Sequence, residues 1–330
     1  MRSPDGELEA LLRAEIAEQG PISFRRFMEQ ALYHPELGYY RRGRDPFGVS
    51  GDFYTSSQLQ PVFGRLIARW IGGVREAMGN PGDFRVVELG AGRGETARIV
   101  AAALPGVQVS AIDLGSPWPE EEIRGVVFSN ELFDALPVHA VERRAGELLE
   151  RLVGFERDRF DWTGARPCSA EIARYVERYA PGLAEGSSIE VNLAALKKLE
   201  MISATLVEGR VLTIDYGYTA REIECGRFGD GSLMSYRRHQ ADPDVLAEPG
   251  GRDITAHVNF TALIERGREL GLESDGLESQ ALFLSKIGEA DEFASALASD
   301  EESEAFKLRM QLKTLLFGMG ETFRVLVQRH

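Results

Sequence analysis

The stretch Val86-Val87-Glu88-Leu89-Gly90-Ala91-Gly92-Arg93-Gly94-Glu95-Thr96 decides the fold. It reads as an apolar strand, a glycine loop and the start of a helix. Glycines at alternate positions permit left-handed backbone and let a ligand approach the amide groups exposed at a helix N-terminus. Dinucleotide sites place a third glycine or alanine where this chain has Glu95, and a carboxylate there repels a pyrophosphate. It suits the helix itself. Together with Glu88 it suits a nucleoside ligand that has a cationic end and no pyrophosphate. S-adenosylmethionine (SAM) meets that description, so Glu88, Gly90, Ala91, Gly92 and Gly94 are its expected contacts. A nicotinamide dinucleotide is the remoter alternative, and a purely structural glycine turn is the reading without a ligand.

Outward from the loop, strands alternate with helices. Phe84 to Leu89 is of strand length, Glu95 to Leu104 is a helix stopped by Pro105-Gly106, and Val107 to Ile112 is a strand ending at Asp113. Gly125–Ser129 and Arg210–Ile214 are further strands, with a helix over Leu193–Val207. This rhythm predicts an α/β fold with a parallel, doubly wound, Rossmann-like sheet. Such sheets bind ligands at the carboxyl ends of their strands. Asp113 lies nineteen residues after Gly94, the spacing of an acid that holds ribose hydroxyls. Yet the span from Asp113 to Gly125 is too short for a helix and another strand. Either that unit is missing, or Val107–Ile112 is itself the third strand and the second is lost.

The fourth expected strand runs into Asn130-Glu131-Leu132-Phe133-Asp134-Ala135-Leu136-Pro137. On a helical turn Glu131 and Asp134 share one face and can grip a guanidinium by bidentate hydrogen bonds. Helix capping by Asn130 and a salt bridge from Asp134 explain the same residues without a substrate.

The flanks complete the plan. Residues 1–80 read as an N-terminal helical cap: one helix near Leu8–Ile16, a second capped by Ser23, and a long apolar stripe from Leu59 to Met78 with a Ser57/Gln60 capping box. Residues 81–330 read as the sheet domain, with insertions near 138–185, hairpin-like at first, and 218–258. Ala281–Ile287 and Phe323–Val327 read as strands flanking a helix near 303–317.

The formal net charge of −14 argues against nucleic acid as a partner; a local basic cluster at Arg41, Arg42 and Arg44 reads as a solvated loop. Two distant cysteines and no paired histidine motif argue against a metal site. The first twenty residues are acid-rich, and no stretch approaches the ~20 apolar residues of a membrane span. A cytoplasmic protein without a membrane partner is the expectation.

Taken together, the motifs resemble the MidA family of SAM-dependent methyltransferases, whose mitochondrial relatives assist assembly of respiratory complex I. The matching segments include Pro21-Ile22-Ser23-Phe24, Tyr33-His34-Pro35-Glu36-Leu37-Gly38-Tyr39-Tyr40, Gly51-Asp52-Phe53-Tyr54-Thr55-Ser56, the loop at 88–94, Asn130 to Pro137, Ile214-Asp215-Tyr216-Gly217-Tyr218, Asp253-Ile254-Thr255-Ala256-His257-Val258-Asn259-Phe260, and Met319-Gly320-Glu321-Thr322-Phe323-Arg324. The resemblance implies a class I methyltransferase fold with a helical cap. It implies a cofactor site that also takes in Gly51, Asp52, Thr55, Asp113 and Asn130. It also implies methyl transfer to arginine of a protein, giving symmetric dimethylarginine on a complex I subunit in the mitochondrial case. Glu131 and Asp134 are then the expected catalytic carboxylates, ahead of Asp215 and Asp253, and His257 a candidate proton relay or a structural histidine. The chain departs from the family at Ser57-Gln58, where Pro-Glu is usual, at Asn259, where Asp is usual, and in the short segment after Asp113. Two other readings stay open: a small-metabolite methyltransferase, and an assembly factor that binds SAM without turning it over. A homodimer is compatible with all of them.

Overall fold

The computed structural model describes residues 4–41, 59–237 and 240–330. Gly51, Asp52, Thr55, Ser57, Gln58, Arg42 and Arg44 lie outside the described residues. The chain forms two compact units, one of 55–132, 198–217 and 263–330, the other of 1–54, 133–197 and 218–262.

The first of these is the sheet unit. Its main strands are β1 (Phe84–Leu89), β2 (Gln108–Ile112), β3 (Ile123–Asn130), β4 (Leu206–Tyr218), β5 (Glu273–Ser279) and β6 (Phe323–Arg329). They lie in the order β5-β6-β4-β3-β1-β2. The pairs β2–β1, β1–β3 and β3–β4 are parallel, whereas β6 runs antiparallel to β4 and β5 antiparallel to β6. Val86, Val126, Phe128, Leu212 and Ile214 are buried in the centre of this sheet, as strands covered on both faces require.

The open question about Val107–Ile112 is answered by register. Ile112 pairs with Leu89 directly, so β2 occupies the second-strand position. Among the described residues no strand lies beyond it, and the helix-plus-strand unit that would follow Asp113 is absent.

Helix α1 (Val62–Ala77) belongs to this unit and not to a cap over 1–80. Its stripe Val62, Phe63, Leu66, Ile67 and Ile71 is buried with the sheet residues named above. The Gln60 side chain accepts from Gly64 N at 2.9 Å and donates to Thr96 Oγ1 at 3.0 Å, so it caps α1 and ties it to α2 (Glu95–Ala103). Two sequence assignments change. Gln280–Glu289 is a helix where a strand was expected, because Ser279 caps it by accepting from Leu282 N and its apolar run buries Phe283 and Leu284. Glu131 to Asp134 is not a helical turn but irregular chain.

The other unit contains the helices Pro4–Gln19 and Phe24–Tyr33, the second capped by Ser23 as expected. An antiparallel meander of His139–Arg144, Glu147–Glu156 and Arg159–Pro167 follows the hairpin pattern of the sequence. Both insertions share a core with the N-terminal helices: Leu8, Leu12, Phe24 and Phe27 pack with Val138, Val153, Val245 and Ile254. This common burial is why residues 1–41 group with the insertions.

Candidate functional site

Glu88 sits one residue before the end of β1 and is only 4% exposed. Its Oε2 accepts from Ala97 N at 2.8 Å, and Thr96 also donates to the carboxylate. The strand is thereby fastened to the first turn of α2, where unpaired amides need acceptors. Burial raises the Glu88 pKa from the ordinary carboxylate range to about 7, the hydrogen bonds from Ala97 and Thr96 oppose that rise, and the negative Asp113 adds to it. A carboxylate this costly to ionise gains from a nearby cation.

The loop after it has the backbone the sequence anticipates. Gly90, Gly92 and Gly94 all have positive φ, at 68°, 52° and 65°. Gly90 N and Ala91 N both donate to Ile112 O, at 2.9 and 3.2 Å, which sets the loop against the carboxyl end of β2. A Cβ on Gly90 would come within 3.0 Å of the Leu132 side chain, so the exit of β3 crosses beside the loop.

Asp113 follows β2 at this same edge. Its Oδ1 accepts from Leu114 N at 2.6 Å, and its backbone N donates to Ser116 Oγ at 3.2 Å. The structure therefore puts Asp113 where the second strand ends, beside the loop.

At the end of β3, the Asn130 amide donates to Glu131 Oε1 at 2.9 Å. Asn130 Oδ1 is buried with no hydrogen-bond partner, an acceptor left for a donor group. Glu131 has φ of 52°, left-handed although it is not glycine. Its backbone N donates to Ile214 O at 2.9 Å. Strain of this kind at a strand end is held in place only by its surroundings and clusters at functional sites. Glu88, Gly90, Ala91, Gly92, Gly94, Asp113, Asn130 and Glu131 thus share the carboxyl edge of one sheet. Asp215, at the end of β4, is fully buried there.

Asp134 and His257 belong to the other unit. Three successive carbonyls of the segment around Asp134 are held: Phe133 O by Asn192 Nδ2, Asp134 O by Ala256 N and Ala135 O by the Tyr33 hydroxyl. Tyr40 donates to Asp253 Oδ1 at 2.7 Å, and its pKa is driven well up by burial and by the negative Asp253 and Asp134. His257 donates its backbone N to Ser232 Oγ and sets its ring edge-on against Phe228. Burial, with Arg227 nearby, lowers its pKa to about 4, which suits a structural ring better than a proton acceptor at neutral pH. Asn259 caps the helix Phe260–Glu269 by accepting from Ala262 N and donates to Tyr179 O. A carboxylate could not make the second bond.

These features meet a known family. A family model described as "Putative S-adenosyl-L-methionine-dependent methyltransferase" matches residues 108–278, more than half of the chain. The chain belongs to this family. A crystal structure from Burkholderia thailandensis, bound to S-adenosyl-homocysteine, superposes with a TM-score of 0.87 at 32% identity, covering 99% of this chain and 92% of that one. The Drosophila melanogaster protein arginine methyltransferase NDUFAF7 homolog, mitochondrial, is 28% identical over 98% of this chain and 85% of its own length. The Danio rerio protein arginine methyltransferase NDUFAF7, mitochondrial, is 27% identical over 95% and 84%. The protein is a SAM-dependent methyltransferase of class I fold. The residues fit that cofactor: left-handed glycines admit a close ligand, and Asn130 Oδ1 and the buried Glu88 carboxylate both await donors or positive charge.

Proposed function

We propose that this methyltransferase modifies arginine in a protein, giving symmetric dimethylarginine, with a respiratory complex I subunit as the substrate the family resemblance points to. The observation that carries the reading is Glu131, a carboxylate held in left-handed backbone at the strand end beside the glycine loop. The naming of full-length relatives as protein arginine methyltransferases supports it.

Gly90, Ala91, Gly92 and Gly94 would hold the cofactor, Glu88 its cationic end, and Asp113 and Asn130 its nucleoside. When bound, SAM supplies a methyl group made electrophilic by its sulfonium. The chain's task is then alignment and exclusion of water, which can lower a barrier by about 7–11 kcal/mol. Glu131 would draw the guanidinium charge toward its oxygens, leave the opposite nitrogen free to attack, and accept the proton released. Asp134 belongs to the other unit, where the carbonyls of Phe133, Asp134 and Ala135 are each held by a hydrogen bond, and the proposed step rests on Glu131 alone.

The test is incubation with radiolabelled SAM and cell extract. A labelled protein band whose hydrolysate contains symmetric dimethylarginine, lost in Gly92→Val, is the expected result. Label confined to small molecules would establish the metabolite reading instead.

A further inference from the structure

The helix Glu302–Lys313, continued by the π-helical turn Thr314–Gly318, has two apolar sides. One enters the core of the sheet unit through Leu308 and Leu315, with Leu312 and Leu316 half-buried beside them. The other faces water with Phe306, Met310 and Phe317, which are 64%, 44% and 80% exposed. Their spacing sets them along one side of the helical stretch. Lys307, Arg309 and Lys313 are exposed among them. From Ala305 to Gly320 there are three cations and no acid, in a chain whose net charge is −14. The nearest acids in sequence are Glu304 and Glu321, and Glu304 meets Lys307 only at 3.7 Å in an exposed pair, an arrangement of little strength.

A row of exposed Phe and Met differs from hydrophobics scattered singly and marks a contact surface. Charge decides the partner. A symmetric contact with a second copy would set the same three cations against each other. An anionic plane would not. We propose that this face docks the protein peripherally on an anionic lipid surface. Phe306, Met310 and Phe317 enter the boundary between headgroups and acyl chains, and Lys307, Arg309 and Lys313 meet the lipid phosphates. Among the described residues no helix is long and apolar enough to cross a membrane, so the contact lies on the surface. Glu302 and Glu304, in the first turn of the helix, flank the patch at its N-terminal end and oppose part of the attraction, whereas acids farther off are screened beyond roughly 8 Å at physiological salt. Three cations and three apolar side chains make an attachment that is reversible and salt-sensitive.

Flotation of the full chain with lipid vesicles tests this. Vesicles of phosphatidylcholine containing about one-third phosphatidylglycerol should carry the protein upward at low salt, and pure phosphatidylcholine should not. Phe306→Ser with Phe317→Ser should weaken flotation by about tenfold, and Lys307→Glu with Arg309→Glu and Lys313→Glu should abolish it. Both variants should keep the wild-type thermal shift with S-adenosylhomocysteine, which reports an intact fold. Failure to float on anionic vesicles overturns the proposal and leaves the face to an acidic protein partner. Flotation unchanged in both variants, or a dimer in sedimentation velocity that Phe317→Ser dissolves, overturns it as well.

Discussion

The carboxyl ends of β1 and β3 are neighbours in one sheet, and they solve the same problem in opposite ways. After β1 the chain needs left-handed backbone, and glycines supply it at 90, 92 and 94 without steric cost. After β3 the same conformation falls on Glu131, which costs about 1–2 kcal/mol relative to glycine. At the first end a Cβ at Gly90 would come within 3.0 Å of the Leu132 side chain. The second keeps its side chain despite the strain. In the proposed function the first end serves a ligand that needs bare backbone, and the second serves chemistry that needs a carboxylate.

The sharpest way to break the first half of this comparison is Gly92→Val. A β-branched residue at φ of 52° is a conformational outlier, so the valine forces the loop away from the backbone proposed to hold the cofactor. Calorimetry should show affinity for S-adenosylhomocysteine reduced by at least ~100-fold, about 2.7 kcal/mol, in a protein that still unfolds in one cooperative thermal transition, at a temperature lowered by the strained valine. Unaltered affinity would mean that the loop is only a turn.

The second half is tested at Glu131. Glu131→Gln keeps the shape and removes the charge, so methyl transfer to a protein substrate should fall by about 100-fold, while cofactor affinity stays within about threefold. Glu131→Gly should lose activity equally yet gain about 1 kcal/mol of stability in urea denaturation. Full activity in Glu131→Gln removes the carboxylate from the mechanism. A loss of stability in the glycine variant removes strain from the comparison.

The contrast also explains what could be read in advance. The glycine loop was legible because glycine announces left-handed backbone, and the parallel core because its strands are continuous apolar runs. Glu131 is legible as a carboxylate but not as left-handed backbone, since nothing in its side chain signals positive φ. Asp113 was ambiguous because the order of strands is set by pairing, and only the register of Ile112 with Leu89 makes β2 the second strand. Ala281–Ile287 reads as a strand because Ala281-Leu282-Phe283-Leu284 fits a buried strand as well as a helix. β5 carries no strand signal because it is almost wholly polar, at the edge of the sheet. The grouping of 1–41 with the insertions depends on contacts far apart in sequence, which no local pattern carries.

Glu88 sharpens the comparison from a third side, since it is the one acid at the β1 end. Its pKa is about 7 in the folded protein against 4.5 ordinarily, with desolvation the leading cause. Between these values the folded chain holds a proton that the unfolded chain has lost, so stability falls as pH rises through that window. Glu88→Gln lacks this titration and can still accept from Ala97 N. The variant should therefore gain on the wild type from pH 4.5 to 8 by on the order of 3 kcal/mol in chemical denaturation. A wild type that gains on the variant over that range would mean that a cation already pairs with Glu88.

The smallest expected effect belongs to Asp113, which follows the edge strand β2 and acts electrostatically on Glu88. Its Oδ1 is engaged by Leu114 N, so part of its hydrogen-bonding capacity is already used in closing the turn after β2. The remaining acceptor sites are what ribose hydroxyls would take. Asp113→Ala should therefore weaken cofactor binding by about tenfold, near 1.4 kcal/mol, well short of the effect at Gly92. The same change removes a negative charge that raises Glu88, so the Glu88 titration should move downward in the Asp113→Ala protein. Measuring affinity and the Glu88 midpoint together separates two meanings of a weak effect. Lower affinity with a shifted midpoint places Asp113 at the ligand's edge of the loop; a shifted midpoint with unchanged affinity makes it a neighbour of Glu88 alone and leaves the ribose to another group.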